Sequence, residues 1–294
     1  MLMSGPPGSG KSMLASFMPG ILPPLSPAEA LSVSMIHSIA GVLPEGGLLT
    51  ERPFRAPHHS ASLPALVGGG HKVKPGEISL AHHGVLFLDE LPEFQRGVLE
   101  SMRQPLETGE VMIARANHHV TYPAQFQLIV AMNPCRCGYL GDAARECTKA
   151  PRCGSDYRSR ISGPLLDRID ICIDVPEVPF EKLTAVTQEA EPSSAVAARV
   201  ARAREIQSVR FASYNRDFDR NVNAAIPPDL LDDMVKMTAK ARGILYKAAE
   251  KHRLSARGYH RLMRVARTLA DLSGNPGEIE PIHVAESINY KQFV

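Results

Sequence analysis

A Gly-rich segment near the start of the chain, from Gly5 to Ser12, has residue types and spacing suited to binding phosphate. Glycines let backbone amides wrap an anion where a helix begins, Lys11 neutralises phosphate charge, and the Ser12 hydroxyl can bind Mg²⁺. The segment therefore predicts a nucleotide-binding loop, with a chance Gly-rich turn as the alternative. The predicted nucleotide contacts are Gly5, Pro6, Pro7, Gly8, Ser9, Gly10, Lys11, Ser12 and Met13.

Two adjacent carboxylates follow a short apolar run later in the chain. Val85–Leu88 is typical of a buried strand, and it leads directly into Asp89 and Glu90. In a phosphate-hydrolysing site, Asp89 would hold Mg²⁺, and Glu90 would orient and deprotonate the attacking water. A solvated strand end is the alternative interpretation.

Asn133 ends another apolar run, Leu128–Met132, which also predicts a buried strand. An amide at this point could position water or sense the terminal phosphate by hydrogen bonding. Asn followed by Pro134 is more often a turn when taken alone. The prediction for Asn133 therefore depends on its order and spacing relative to the other motifs.

Arg168 stands just before the apolar run Ile169–Val175. Phosphoryl transfer needs positive charge near the transferred group, and an arginine can supply that charge to a neighbouring subunit. A local ion pair with Asp167 or Asp170 is the alternative. An arginine acting on a neighbour would require the chain to assemble with other copies.

Four of the five cysteines crowd into one short segment. In a reducing compartment this clustering favours metal over disulfides, and four thiolates are a typical ligand set for structural Zn²⁺. The initial Cys-x-Cys spacing is tighter than usual, and free thiols are the alternative. The predicted ligands are Cys135, Cys137, Cys147 and Cys153, whereas Cys172 is predicted to be a core residue.

A parallel sheet is needed to bring these residues together. Short apolar runs at Gly84–Leu88, Phe126–Ala131 and Ile169–Val175 alternate with loops rich in Gly and Pro. This pattern predicts an α/β fold, with a parallel sheet between helices. The predicted domains are an α/β core at 1–180, a polar linker at 181–195 and a small all-helical lid at 196–294.

Apolar residues at helical spacing mark four segments in the C-terminal third. The predicted helices are Ala195–Ser213, Pro228–His252, Ser255–Leu272 and a short helix opened by Pro281. Arg257, Arg261 and Arg264 share one face of the third helix, at i, i+4 and i+7. One of these arginines could reach the nucleotide, whereas a solvated basic face is the alternative.

Charge neither favours nor excludes nucleic acid, because 33 basic residues oppose 31 acidic residues for a net charge of +2. No run is long and apolar enough to span a bilayer, and the first residues lack the character of a signal peptide. We therefore expect a cytoplasmic protein without a membrane partner.

The stretch between Lys11 and Asp89 is long, and residues 41–79 within it are rich in Gly, Pro and His. A long ordered insertion usually has a function, although a stabilising surface loop is the alternative. The basic and histidine side chains singled out in and beside this insertion are Arg55, His58, His59, His71, Lys72 and Lys74. Surface or capping roles, rather than metal binding, are predicted for the pairs His58-His59, His82-His83 and His118-His119.

Together these motifs resemble the ComM/YifB family of magnesium-chelatase-like AAA+ ATPases, over essentially the whole chain. The resemblance is carried by Phe54–Ser60, Lys74–His82, Leu88–Phe94, Asn133–Cys135 and Ser162–Asp170. It implies an AAA+ module of the helix-2-insert group that forms a hexameric ring, with residues 41–79 projecting into the pore. Because of that position, the resemblance makes six side chains of this region candidates for gripping DNA or a partner, namely Arg55, His58, His59, His71, Lys72 and Lys74. It assigns Lys11 and Ser12 to Walker A, Asp89 and Glu90 to Walker B, Asn133 to sensor 1, Arg168 to the arginine finger and Arg257 to sensor 2.

The same resemblance implies an ATP- and Mg²⁺-dependent motor that acts on DNA. Family members of this type are associated with branch migration during natural transformation, so recombination or DNA-uptake proteins are the expected partners. A magnesium-chelatase motor subunit is the second hypothesis, and a non-catalytic binding remnant is the third. The third hypothesis arises because few residues precede Gly5, so we expect a Lon-like N-terminal domain to be missing here.

Overall fold

The computed structural model describes residues 1–45, 47–70, 73–115, 118–141, 145, 147, 149–178, 191–214, 216–218 and 220–291. The chain divides into two compact units. The N-terminal unit comprises the described residues of Met1–Ile169 and Ile173–Glu189, and the C-terminal unit those of Asp170–Cys172 and Ala190–Val294.

A five-stranded sheet organises the N-terminal unit. The strands, in chain order, are β1 (Leu2–Ser4), β2 (Phe54–Arg55), β3 (Gly68–Gly69), β4 (Lys74–Pro75), β5 (Val85–Leu88), β6 (Glu110–Arg115), β7 (His118–Pro123), β8 (Gln127–Met132) and β9 (Cys172–Asp174). The main sheet has the order β2-β5-β8-β1-β9, and the pairs β3–β4 and β6–β7 form two small antiparallel sheets. The predicted α/β fold with a parallel sheet is confirmed.

The register of the main sheet determines which chain segments share an edge. In β1, Ser4 pairs with Met132 of β8, and Leu88 of β5 pairs with Val130, all in parallel. Because parallel strands end on the same side of a sheet, the loops that follow β1, β5 and β8 all leave from one edge.

Helices flank this sheet and make up most of the C-terminal unit. In the N-terminal unit they are α1 (Lys11–Ile21), α2 (Pro27–Ala40), α3 (Leu63–Val67), α4 (Glu77–Leu80), α5 (Arg96–Ser101), α6 (Arg103–Thr108), α7 (Arg152–Arg158) and α8 (Gly163–Leu166). In the C-terminal unit they are α9 (Ser193–Ala212), α10 (Leu231–Met234), α11 (Ala239–Lys251), α12 (Ala256–Leu272) and α13 (Pro281–Asn289). Short 3₁₀ segments cover Leu91–Glu93, Asn223–Ala225 and Pro228–Leu230. None of the helices in the described residues has both the length and the apolar character needed to cross a membrane.

Local sequence explains several of these boundaries. Ser26 begins α2 with a reciprocal capping box, in which its hydroxyl accepts from the Glu29 amide and the Glu29 carboxylate accepts from the Ser26 amide. Val85–Leu88 is fully buried, as a strand covered on both faces should be. The prediction of a strand over Ile169–Val175 is wrong in its first half, because the Ile169 amide donates to Leu166 O at 3.0 Å in the turn that follows α8.

The C-terminal unit has its own hydrophobic core, formed by Phe211, Leu231, Leu245, Leu262, Val284 and their neighbours. The prediction of one continuous helix over Pro228–His252 is wrong. The backbone around Met237 forms a parallel bridge with Ile279, so its hydrogen bonds leave the helical pattern. Thr238 then caps α11, since its hydroxyl accepts from the Ala241 amide at 3.2 Å. The segment is therefore divided into a 3₁₀ turn, α10 and α11.

A buried polar network, not predicted from the sequence, links α9 and α12. The Asp271 carboxylate is 1% exposed and accepts from Arg210 at 3.0 Å, Arg267 at 3.1 Å and Asn223 at 2.8 Å. Burial lowers the pKa of Arg267, and the charge of Asp271 opposes that shift. Each group therefore depends on the others to compensate for its lost hydration.

Replacing Asp271 with alanine should destabilise the protein strongly, because two guanidinium groups would lose their shared buried partner. We expect a loss of about 3–5 kcal/mol in the free energy of unfolding, measured by guanidinium denaturation. Asp232→Ala is the matched control, because that carboxylate is 81% exposed and lies 3.8 Å from Arg242. The control should lose less than about 1 kcal/mol. Equal losses in the two variants would contradict the prediction.

Candidate functional site

The Gly-rich segment predicted to bind phosphate connects the buried strand β1 to α1. Gly10 has a left-handed φ of 85° and immediately precedes Lys11, the first residue of α1. Glycine adopts this φ without strain, so the chain turns directly from loop into helix. The N-terminus of α1 therefore borders the loop, where unpaired amides and the helix dipole favour an anion.

The Lys11 side chain lies inside this loop. Its ammonium group donates to Gly5 O at 2.8 Å, to Pro6 O at 2.7 Å and to Ser9 Oγ at 3.2 Å. Burial lowers the pKa of Lys11, and the charge of Asp89 opposes that shift. The loop thus holds one buried positive charge at its centre.

Ser12 and Asp89 meet beside Lys11. The Ser12 hydroxyl donates to Asp89 Oδ2 at 2.5 Å, although the two residues are far apart in sequence. The other carboxylate oxygen accepts from the Glu90 amide at 2.9 Å. Hydroxyl and carboxylate oxygens are the ligands that Mg²⁺ prefers, so this pair fits a magnesium ion next to bound phosphate.

Asn133 reaches the same edge from β8. Its Oδ1 lies 3.4 Å from the Lys11 ammonium. The preceding residue, Met132, accepts a hydrogen bond from the Gly5 amide at 3.3 Å. The structure therefore brings together Lys11, Ser12, Asp89, Glu90 and Asn133, which come from three separate segments of the chain.

Glu90 has a neighbour that the sequence did not reveal. The Nδ1 atom of His59 lies 3.0 Å from Glu90 Oε2, and the Glu90 backbone is left-handed, with a φ of 51°. His59 follows β2, which pairs with β5 in the sheet. The strand order explains this contact, and a sequence pattern does not reveal strand order.

Most of the other basic side chains predicted to grip DNA form contacts within the chain. Arg55 makes a bidentate ion pair with Glu77, at 2.6 and 2.8 Å. His58 bonds Ser60 Oγ at 2.8 Å, and Lys74 donates to Ala40 O at 2.8 Å. His71 and Lys72 lie outside the described residues. DNA binding by this stretch stays a prediction.

The surface role predicted for the His82-His83 pair is wrong for His82, which is 3% exposed. Its Nδ1 accepts from the Gln125 amide at 3.1 Å. His83 lies 3.6 Å from Glu29.

Arg168 pairs with a residue that neither sequence interpretation named. Its side chain is 6% exposed, with Nη2 lying 2.5 Å from Glu107 and Nη1 donating to Pro164 O at 2.6 Å. Within the described residues its ion pair is with Glu107, so the alternative of a pair with Asp167 or Asp170 is wrong, whereas the arginine-finger interpretation stays a prediction. Glu107, on α6, was not predicted as a partner.

The three arginines of α12 have different environments. Arg257 is exposed in the first turn, and Arg264 donates to Ile226 O at 2.6 Å. Burial lowers the pKa of Arg264, and the charge of Asp170 opposes that shift. The interpretation of all three as one solvated basic face is therefore wrong for Arg264.

The cysteine segment packs directly against the phosphate loop. A Cβ built on Gly138, which has a φ of 88°, would lie 2.4 Å from Pro7 Cδ. Only a residue without a side chain allows this approach, so the backbone at Gly138 supports Pro7 closely. Cys135 and Cys137 lie on either side of Arg136, just before this contact.

A Gly-rich loop around a buried lysine, with a serine and an aspartate adjacent on a parallel sheet, defines a P-loop NTPase. The chain belongs to the magnesium chelatase subunit ChlI family. The family model for that subunit matches residues 1–183, and the model for its C-terminal part matches residues 190–291. Membership supports an AAA+ ATPase that uses ATP and Mg²⁺, and such proteins typically form oligomers.

Individual relatives agree with this assignment. "Competence protein ComM" of Haemophilus influenzae is 45% identical over 295 residues, which cover 100% of this chain and 56% of the relative. "Uncharacterized protein YifB" of Escherichia coli is 41% identical over 99% of this chain and 55% of its own length. "Magnesium-chelatase 67 kDa subunit" of Chlorobaculum tepidum is 26% identical over 34% of this chain and 17% of its own length. The chain spans about half the length of the ComM and YifB relatives that it matches. The resemblance to the ComM/YifB family is confirmed.

The contact between Gly138 and Pro7 predicts that Gly138→Ala weakens nucleotide binding. The added methyl group would clash with the Pro7 ring, and overpacking of this kind costs about 1–3 kcal/mol, which corresponds to about 5- to 150-fold in affinity. Binding of a fluorescent ATP analogue would measure the effect.

Gly141→Ala is the matched control, because Gly141 has the same φ of 88° but no atom of the described residues within 4 Å of its Cβ position. Both variants introduce the same backbone strain, and only Gly138→Ala adds the clash. Equal affinities in the two variants would show that the Pro7 contact does not support the loop.

Proposed function

We propose that this chain is the ATP-hydrolysing part of an Mg²⁺-dependent AAA+ ring motor that acts on DNA. The observation that carries the proposal is the convergence of Lys11, Ser12, Asp89, Glu90 and Asn133 at one sheet edge. Hydrolysis of a nucleoside triphosphate requires a positive charge near the phosphates, oxygen ligands for Mg²⁺, and polar groups that orient and deprotonate water. These side chains provide all of them.

Each residue has a distinct role in the proposed reaction. Lys11 turns from the loop carbonyls toward the β- and γ-phosphates and neutralises their charge. Ser12 and Asp89 hold Mg²⁺, which when bound supplies further positive charge to the phosphate oxygens. Glu90 accepts a proton from the attacking water, and Asn133 orients that water or the γ-phosphate by hydrogen bonding.

Arg168 and Arg257 complete the proposed site. Arg168 acts as the arginine finger on the nucleotide of the neighbouring subunit in a hexameric ring. Its pair with Glu107 pre-positions the guanidinium group, and release of that pair frees it to reach phosphate. Arg257, exposed at the start of α12, acts as sensor 2 from the helical lid.

Likeness to the relatives supports DNA as the substrate. The Haemophilus influenzae relative is named as a competence protein. By that likeness, the motor is a helicase or translocase for branch migration, working with recombination or DNA-uptake proteins. A chelatase motor subunit is the second candidate, favoured by the partial match to a magnesium-chelatase subunit. The cytoplasmic location and the linker between the domains stay predictions.

ATP hydrolysis with and without DNA tests the proposed function. The purified chain should hydrolyse ATP only with Mg²⁺, and single- or double-stranded DNA should raise the rate. Lys11→Ala should lower turnover by about 100-fold or more, because the buried charge facing the phosphates is lost. Lys240→Ala, which removes an exposed lysine at the start of α11, should have no effect. Turnover that is independent of DNA would argue against a DNA motor, and turnover that survives Lys11→Ala would refute the site.

Mixing two inactive variants tests Arg168. Arg168→Ala should bind ATP normally and lose about a thousandfold in hydrolysis, whereas Lys11→Ala keeps Arg168 but lacks a working loop. Mixed rings would contain some interfaces with both an intact loop and an intact Arg168, so partial activity should return. Arg103→Ala is the control, because Arg103 is a half-buried arginine that pairs with Glu100 at 2.9 Å, and this variant should keep full activity. Full activity of Arg168→Ala alone would show that Arg168 is not the finger.

A further inference from the structure

Four cysteine sulfurs converge next to the phosphate loop. The Cys135 and Cys137 sulfurs lie 3.1 Å apart, and so do those of Cys147 and Cys153. The sulfurs of Cys135, Cys147 and Cys153 all lie within 4.8 Å of one another. Cys135 therefore belongs both to this group of three and to the pair with Cys137, so the two pairs form one cluster.

The spacing of these sulfurs matches a four-thiolate metal site more closely than it matches disulfides. A zinc–sulfur bond of about 2.3 Å in tetrahedral geometry places sulfurs about 3.8 Å apart. A disulfide would require about 2.05 Å. In a tetrahedral set the pairs at 3.1 Å would widen to about 3.8 Å, and the three sulfurs that lie within 4.8 Å of one another are already close to that separation.

Backbone turns lie beside both cysteine pairs. The Gly138 amide donates to Cys135 O at 3.0 Å, and Gly138 has a left-handed φ of 88°. The Ala150 amide donates to Cys147 O at 3.0 Å, and the Cys153 amide donates to Lys149 O at 3.0 Å. These turns hold cysteines that are close in sequence near one another, as the ligand pairs of a structural zinc site require.

We propose that Cys135, Cys137, Cys147 and Cys153 bind one structural Zn²⁺ ion. Four thiolates leave no open coordination position, so the ion would be structural and not catalytic. It ties the segment after Asn133 to the start of α7, which contains Cys153. Gly138 lies in sequence between Cys137 and Cys147, and it contacts Pro7. The ion would therefore also hold in place the backbone that supports the phosphate loop.

Elemental analysis of the full chain tests the site, independently of ATP hydrolysis. Protein purified with a reductant and without chelators should contain one zinc per chain. Cys147→Ser and Cys153→Ser should each lose most of that zinc. Cys172→Ser is the control, because Cys172 lies in β9, outside the cluster, and this variant should keep the metal. Cobalt added to metal-free wild-type protein should produce thiolate-to-metal charge-transfer absorption, which provides a readout if the serine variants fail to fold.

Two results would overturn the proposal. The first is wild-type protein that contains far less than one zinc after incubation with zinc chloride, with all five thiols open to Ellman's reagent. The second is iron in place of zinc at the same stoichiometry. Removal of zinc should also weaken binding of a fluorescent ATP analogue. Unchanged nucleotide affinity after the metal has left would show that the link from the ion to Pro7 is wrong.

Discussion

The site depends on the parallel register of β5, β8 and β1. Because Leu88 lies opposite Val130 and Ser4 lies opposite Met132, the three following loops leave the sheet within a few ångströms of one another. A change of one residue in this register would reverse the faces of the side chains and separate the carboxylates from the phosphate loop. The geometry of the candidate site is therefore a consequence of backbone pairing, and the side chains complete it.

The phosphate loop is supported from two sides. From within, the Lys11 ammonium bonds the loop's own carbonyls, which keeps the loop closed around a positive charge. From outside, the backbone at Gly138 packs so closely against Pro7 that no side chain would fit between them. The segment that supports Pro7 begins immediately after Asn133, so one stretch of chain both contributes to the site and limits the movement of the loop. Rigid support of this kind reduces the reorganisation that binding a charged ligand would otherwise require.

Local patterns made much of this structure predictable. A few neighbouring residues are enough to predict the Gly-rich loop, the strand that precedes Asp89 and the helix that begins at Pro281. The contacts that sequence did not reveal are all non-local. His59 contacts Glu90 because β2 lies next to β5 in the sheet. Arg168 pairs with Glu107 across the N-terminal unit, and the helix predicted over Pro228–His252 is broken by pairing with Ile279. Apolar periodicity cannot foresee a competing hydrogen-bond partner distant in sequence.

The left-handed backbone at Glu90 lowers the stability of the fold at a residue that is proposed to take part in hydrolysis. A residue other than Gly or Asn in this conformation costs about 1–3 kcal/mol, and the rest of the fold must compensate for that cost. An effort to make this protein more heat-resistant by ordinary design rules would place Gly or Asn at this position and would gain stability. The same change would delete the carboxylate, so under the proposed mechanism the most stable version of this sheet edge is one that could not activate water.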